Sequence, residues 1–298
     1  MKKSNNFLVY LIYFILVITW GSSFILMKRG LEFYSPAQVA TIRMLSASLF
    51  FISFGVFHVF KIPAKKVVYV LLSGLFGIFI PAYLFCYAEA GINSAITGIL
   101  NALTPSFTLI LGIAFFRQAF IRMQVIGLLV GFIGIAFLVL VDTKGELELN
   151  HFAFFVIAAT ICYGLSTNIV KSKLADINPL YISTVSVSFA GLLALIYCLF
   201  TGGFHLLPLT QQNKVPLIAT ITLGLFGTAM AQLLFNDMIK KSSAVFASSI
   251  TYVLPIVAVF WGVLDGEKLV LWHYIGMVCI IVGVIIVRRA HKNTFVKK

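Results

Sequence analysis

Ten apolar stretches follow one another along this chain, each long enough to cross a bilayer as a helix, with connections too short to hold a water-soluble domain. They run roughly over 7 to 27, 37 to 60, 67 to 88, 94 to 116, 123 to 141, 151 to 170, 179 to 200, 214 to 236, 243 to 264 and 271 to 288. A helix needs about 20 apolar residues to span a hydrocarbon core about 30 Å thick. Strands of a membrane barrel would be shorter and would alternate polar with apolar side chains, so helices are the reading that fits. With 61% hydrophobic and 10% charged residues and a mean hydropathy of +1.05, no water-soluble surface could be assembled. The predicted fold is an all-α integral membrane protein with ten transmembrane helices.

The first five stretches reappear as the second five. Gly21, Lys28 and Pro36 recur 143 positions later as Gly164, Lys171 and Pro179. Leu75, Phe76, Gly77, Pro105 and Gly112 return 150 positions on as Leu225, Phe226, Gly227, Pro255 and Gly262, and Gly127 and Gly134 return 149 on as Gly276 and Gly283. The units predicted are 1 to 145 and 146 to 298. A unit with an odd number of crossings must present its second copy upside down, so the copies are expected to be inverted repeats about an axis in the membrane plane. Such symmetry offers two opposite-facing conformations of similar energy.

A net charge of +13 would suggest nucleic acid in a soluble protein, but the charges sit where topology requires them. If both termini are cytoplasmic, the cytoplasmic ends carry most of the 22 basic residues, including Lys2, Lys3, Lys61, Lys65, Lys66, Lys240, Lys241, Arg288 and Arg289. A multi-pass protein of the cell inner membrane, with no nucleic-acid partner, is expected. The first stretch has a counterpart in the second half, so it is read as a retained helix rather than a leader. Cys86, Cys162, Cys198 and Cys279 fall inside spans, so neither disulfides nor metal sites are expected.

Polar groups gather at the predicted mid-depth. Pro105 and Pro255 break the fourth and ninth stretches, freeing the carbonyls of Asn101 and Thr251 for a neighbouring helix, water or ligand. Asn101, Thr104, Ser248, Thr251 and Tyr252 surround these breaks and are candidate substrate contacts. Trp20 and Tyr163 occupy equivalent places before a glycine and are candidate ring contacts, with Tyr83, Tyr87 and Trp261 as further rings. Arg43 lies about two turns inside the second stretch, where a charge is costly and faces a partner or a wet cavity. Glu89 is its natural partner, and the two are expected to form a gate or charge handle. Lys28 and Lys171 read as interfacial anchors, and Asp237 as a solvated charge at the end of a span.

In these residues the chain resembles the drug/metabolite transporter superfamily, specifically its ten-helix EamA-type carriers. The resemblance rests on the Trp20, Gly21, Ser22 stretch, Arg43, the paired Pro105 and Pro255, the Gly262 to Glu267 stretch with its Asp265, Gly266, Glu267 turn, and the glycines of helices five and ten. Arg117 stands in the first half where that acid would be expected. The resemblance implies a central cavity between the halves, peripheral helices five and ten, and small organic solutes such as amino acids, other metabolites or drugs, usually exported. No HExxH, GxxxxGK[ST] or GxSxG motif occurs, so no enzyme activity and no cofactor are expected. The leading reading is a secondary transporter working by alternating access, and a passive channel or lipid scramblase is the alternative. Coupling to protons or another ion, and self-association, are left open.

Overall fold

The computed structural model describes residues 6–118, 122–141, 149–201, 210–241, 247 and 250–295. Among these the chain forms ten helical spans, numbered here α1 to α10. α1 runs as two pieces, Asn6–Gly21 and Ser23–Leu31, and is followed by α2 (Pro36–Val59), α3 (Ala64–Glu89), α4 (Ser94–Phe116) and α5 (Arg122–Leu140). The second set is α6 (Ala153–Lys173), α7 (Pro179–Thr201), α8 (Gln211–Lys241), α9 (Ile250–Leu264) and α10 (Leu271–Phe295). Seven of the spans are long and apolar enough to cross a membrane on their own, and α5, α9 and α10 contain shorter apolar helices. α1 and α8 extend beyond the predicted stretches, which brings Lys28 and Arg29 at one end, and Asp237 at the other, onto helices.

The repeated prolines Pro36 and Pro179 start helices. Pro36 opens α2 inside a capping box, in which the Gln38 amide donates to the Ser35 hydroxyl (3.3 Å) and the Ser35 amide donates to the Gln38 side chain (3.0 Å). Pro179 opens α7 behind Asn178, whose side-chain oxygen accepts from the Leu180 amide at 3.0 Å.

The repeat governs the packing. α2 lies against its own counterpart α7, α4 against α9, and α5 against α10. α1 packs on α8 and α9, as α6 packs on α3 and α4. That exchange is what a twofold axis between two five-helix units produces. It holds at the level of residues. Gly134 of α5 crosses Gly276 of α10, and the equivalent pair, Gly127 and Gly283, meets further along the same two helices. A Cβ on Gly134 would stand 2.6 Å from the Gly276 carbonyl oxygen, and one on Gly276 would stand 2.9 Å from that of Gly134, so only glycine lets these backbones touch.

Large apolar side chains face outward, among them Phe14, Leu49, Phe57, Phe115, Phe200 and Leu271, while Ser, Thr and Asn side chains are buried between helices. In water that surface would be untenable; in lipid it costs nothing. Because the number of spans is even, one face of the bundle holds the start of α1 and the end of α10. That face is called the terminal face below, and the other the far face.

A cavity between the repeats

Two helices leave the α pattern at equivalent points. α3 widens into a π-helical stretch over Leu75–Phe79 and α8 over Leu223–Met230, both containing the repeated Leu-Phe-Gly. A π turn shifts the backbone register and frees carbonyls for other partners. One is taken by the Trp20 indole, whose Nε1 donates to the Gly227 carbonyl at 3.0 Å. Gly227 packs on Ser23, and Gly77 packs on Ser166, which is Ser23's equivalent. A side chain at either glycine would fill the space between α1 and α8 or between α6 and α3.

The two bulges border a cavity to which α1, α2, α3, α4, α6, α8 and α9 contribute. Trp20, Ser23, Phe24 and Met27 line it from α1, Gly77, Ile78 and Phe85 from α3, Tyr163, Ser166 and Thr167 from α6, and Gly227, Thr228, Gln232 and Phe235 from α8. Asn101 and Thr104 close it beside a 3₁₀ turn in α4, Thr251 closes it from α9, which continues as an α-helix through Pro255 rather than breaking there, and Arg43 enters from α2. About 80 Å³ is open to the centres of water molecules, against roughly 10–15 Å³ for a single one, so the space admits several waters or a small solute. Its walls are largely aromatic. Phe85 stacks on Tyr163 at 5.7 Å between ring centroids, and Trp20 meets Phe235 edge-on at 5.0 Å.

Arg43 is the one charged residue among the described lining. It is buried, and its Nε donates to the Thr228 hydroxyl at 2.8 Å. The expected ion pair with Glu89 is not made among the described residues. The Glu89 oxygens are buried near the far end of α3 with no hydrogen-bond partner there. α3 carries Glu89 one turn beyond Phe85, on the same side of the helix and above the cavity.

Trp20, Asn101, Thr104, Tyr163 and Thr251 thus come together around one space, as the sequence suggested. Tyr252 is buried outside it, and Ser248 lies outside the described residues. Tyr83 and Trp261 are engaged elsewhere, with the Thr41 and Ser22 hydroxyls, and the rings that do line the cavity are Phe24, Phe85 and Phe235. The break at Pro105 also resolves differently. Asn101–Leu103 forms a 3₁₀ turn, so the Asn101 carbonyl accepts from the Thr104 amide and from the Thr104 hydroxyl (2.9 Å) within its own helix. Local rewinding satisfies that carbonyl without a neighbour or a ligand.

At the far face, sequence reasoning missed a cluster. The Glu267 carboxylate lies over the first turn of α4, accepting from the Ser94 amide (3.1 Å), the Ser94 hydroxyl (2.7 Å) and the Ala95 amide (3.0 Å). Lys28 donates to it at 2.8 Å and to Asp265 at 2.5 Å, and Arg29 pairs with both Asp265 and Glu32. Lys28 is therefore no simple interfacial anchor. A carboxylate at a helix N-terminus meets unpaired amides and the positive end of the helix dipole. Burial pushes the Glu267 carboxyl up, but the Lys28 ammonium, the Ala95 amide and the Ser94 hydroxyl outweigh it and hold it below the ordinary glutamate value. The result is a latch tying α1, α4 and the α9–α10 turn. The one available signal was that Lys28, Asp265 and Glu267 all fall at span ends on the same face.

In the first repeat, Arg117 adopts a left-handed conformation (φ 55°), which tucks Gln118 against Gly112 as Glu267 is tucked against Gly262. Gln118 donates to Asn168 at 3.0 Å, a neutral bond between α6 and the end of α4.

An inverted-repeat helical bundle with a shared central cavity is the architecture of a membrane transporter. The EamA-like transporter family model matches this chain twice, over residues 7–140 and 152–289, and the chain belongs to that family. It is 25% identical over 281 residues to an uncharacterized transporter of Archaeoglobus fulgidus, covering 92% of this chain and 96% of that one. It is 25% identical over 279 residues to the uncharacterized inner membrane transporter YedA of Escherichia coli K12 (92% and 88% covered), and 28% identical over 277 residues to the uncharacterized transporter YetK of Bacillus subtilis (89% and 82% covered). A solved crystal structure shares the fold, with a TM-score of 0.67 at 15% identity over 94% of this chain and 98% of the other.

Proposed function

We propose that this transporter is a secondary carrier of small organic solutes bearing a carboxylate or similar anionic group, amino acids foremost, bound between the repeats and moved by alternating access. The observation that carries this reading is Arg43. A guanidinium has five N–H donors, and among the described residues only Nε is engaged, by a neutral hydroxyl. A buried cation without a counter-ion is costly, and a solute carboxylate docking in the bidentate manner would relieve that cost. Asn101, Thr104, Gln232 and Thr251 can hydrogen-bond an amino or hydroxyl group, and Trp20, Tyr163, Phe24 and Phe85 can enclose an apolar side chain. The charge bias supports cytoplasmic termini, which would put the latch outside, and the family resemblance supports export.

The test is counterflow in proteoliposomes with a panel of radiolabelled L-amino acids. A carrier saturates and is accelerated by unlabelled solute on the opposite side, whereas a channel or scramblase shows neither behaviour. A charge-assisted hydrogen bond contributes roughly 1.5–3 kcal/mol, so Arg43→Gln is expected to weaken apparent affinity about 10- to 100-fold with insertion intact. Asn101→Ala and Thr251→Ala should lower transport less. Unchanged affinity in Arg43→Gln would remove the anion assignment.

A further inference from the structure

The Glu89 carboxyl group, on α3 one turn beyond the cavity-lining Phe85, has both oxygens stripped of water and without a hydrogen-bond partner among the described residues. Ionised carboxylates in such surroundings cost several kcal/mol unless paired. Among the described residues the charged groups facing it are Arg43 from α2, Lys28 from α1 and Glu267 from the α9–α10 turn, with Cys86 on its own helix. Neither cation pairs with it: Arg43 is turned to Thr228, and Lys28 is held by Asp265 and Glu267. Glu267, itself an ionised acid, repels a second negative charge. From α6, Ala153 and Val156 pack in the same cluster as Ala88, and the first turns of α4 (Ser94–Leu100) contain no ionisable residue.

We propose that Glu89 is a proton-binding site that gates the far face: the latch closes only over the neutral acid, and opening it admits the water that lets the acid ionise. The proposal rests on the alternating-access reading above, since it assigns a proton to one half of that cycle. Closure then requires proton uptake, so the closed population falls up to tenfold per pH unit once the open-state acid is ionised.

Two measurements test it, and only one depends on transport. In lipid vesicles at pH 7, the infrared spectrum of the full chain should contain a protonated-carboxyl C=O stretch that shifts in ²H₂O and is missing from Glu89→Gln. If both proteins give the same spectrum in this region, the proposal fails whether or not a solute is known. In counterflow with the labelled amino acids and equal pH on both sides, the wild-type rate should fall as pH rises from about 5.5 to about 8.5. Glu89→Gln should still exchange, with a flattened profile, and Glu89→Asp should restore the slope. An unchanged slope in Glu89→Gln, or a flat wild-type profile, overturns the gate. Absence of counterflow in the wild type would instead sink the carrier reading, and the infrared result would still decide the protonation state of Glu89.

Discussion

The same corner of the two repeats is built from different chemistry. Behind Gly262 of the second repeat, Glu267 lies nearly buried, fully bonded to Lys28 and to the amides that begin α4. Behind Gly112 of the first, Gln118 makes one neutral bond to Asn168, and Lys171, the counterpart of Lys28, donates to the Ile239 carbonyl at 3.2 Å. The terminal face adds the exposed pair of Lys66 and Asp176 and a 3.4 Å contact from Lys240 to the Ile177 carbonyl. Inverted copies of one fold would open equally easily at both ends. Among the described residues the far face is tied by a charge-assisted cluster around the buried Glu267 carboxylate, whereas the terminal-face contacts named above are neutral or solvated. On the proposed alternating-access reading, this asymmetry of side chains on a nearly symmetric backbone would bias which end is closed.

The sharpest way to break this comparison is Glu267→Ala, which leaves Lys28 and two helix amides without their acceptor. Losing one partner of a buried pair costs about 3 kcal/mol or more, and the resulting fall in thermal stability is measurable in detergent micelles. A loss no larger than that of Gln118→Ala would show the two corners to be equivalent. Acid probes the same group without mutation. The Glu267 carboxyl is held below its ordinary value of about 4.5, so its contribution is complete above that pH and disappears as pH falls through the lowered value. The acid branch of a stability-versus-pH curve should therefore be shallower in Glu267→Gln than in the wild type. Gln118→Ala is expected to cost about 1 kcal/mol, the worth of one neutral hydrogen bond, with no change in acid sensitivity. The smallest effect belongs to Lys66→Ala. Asp176 is held below the ordinary aspartate range chiefly by its hydrogen bond from Lys66, but both groups are solvated, so the melting temperature should barely move.

Much of the architecture was legible because lipid permits few solutions. Spans could be counted from apolar length, and the order of Gly, Lys and Pro residues exposed the duplication before any contact was known. The same argument found part of the cavity: of the polar residues beside Pro105 and Pro255, Asn101, Thr104 and Thr251 face the shared space, while Tyr252 lies outside it. What escaped were features without a local signature. The π turns at Leu75–Phe79 and Leu223–Met230 share the repeated Leu-Phe-Gly, but that triplet does not by itself announce a π turn. The latch joins residues 28, 94, 265 and 267, which no periodicity connects. Pairing Arg43 with Glu89 rested on depth alone, and depth does not say which way a side chain turns.

The amino-acid order by itself determined that this chain spans a membrane, that it does so as two copies of one unit, and roughly at what depth its polar residues lie, because burial in hydrocarbon constrains every backbone amide and every charge along the helix axis. Only the tertiary structure decided which of those residues share a cavity, which end carries the ionic latch and where Glu89 is left without a partner among the described residues. Those outcomes depend on rotation about each helix and on which helix stands beside it, and they are set by contacts between residues more than 150 positions apart, such as Trp20 with Gly227 and Lys28 with Glu267.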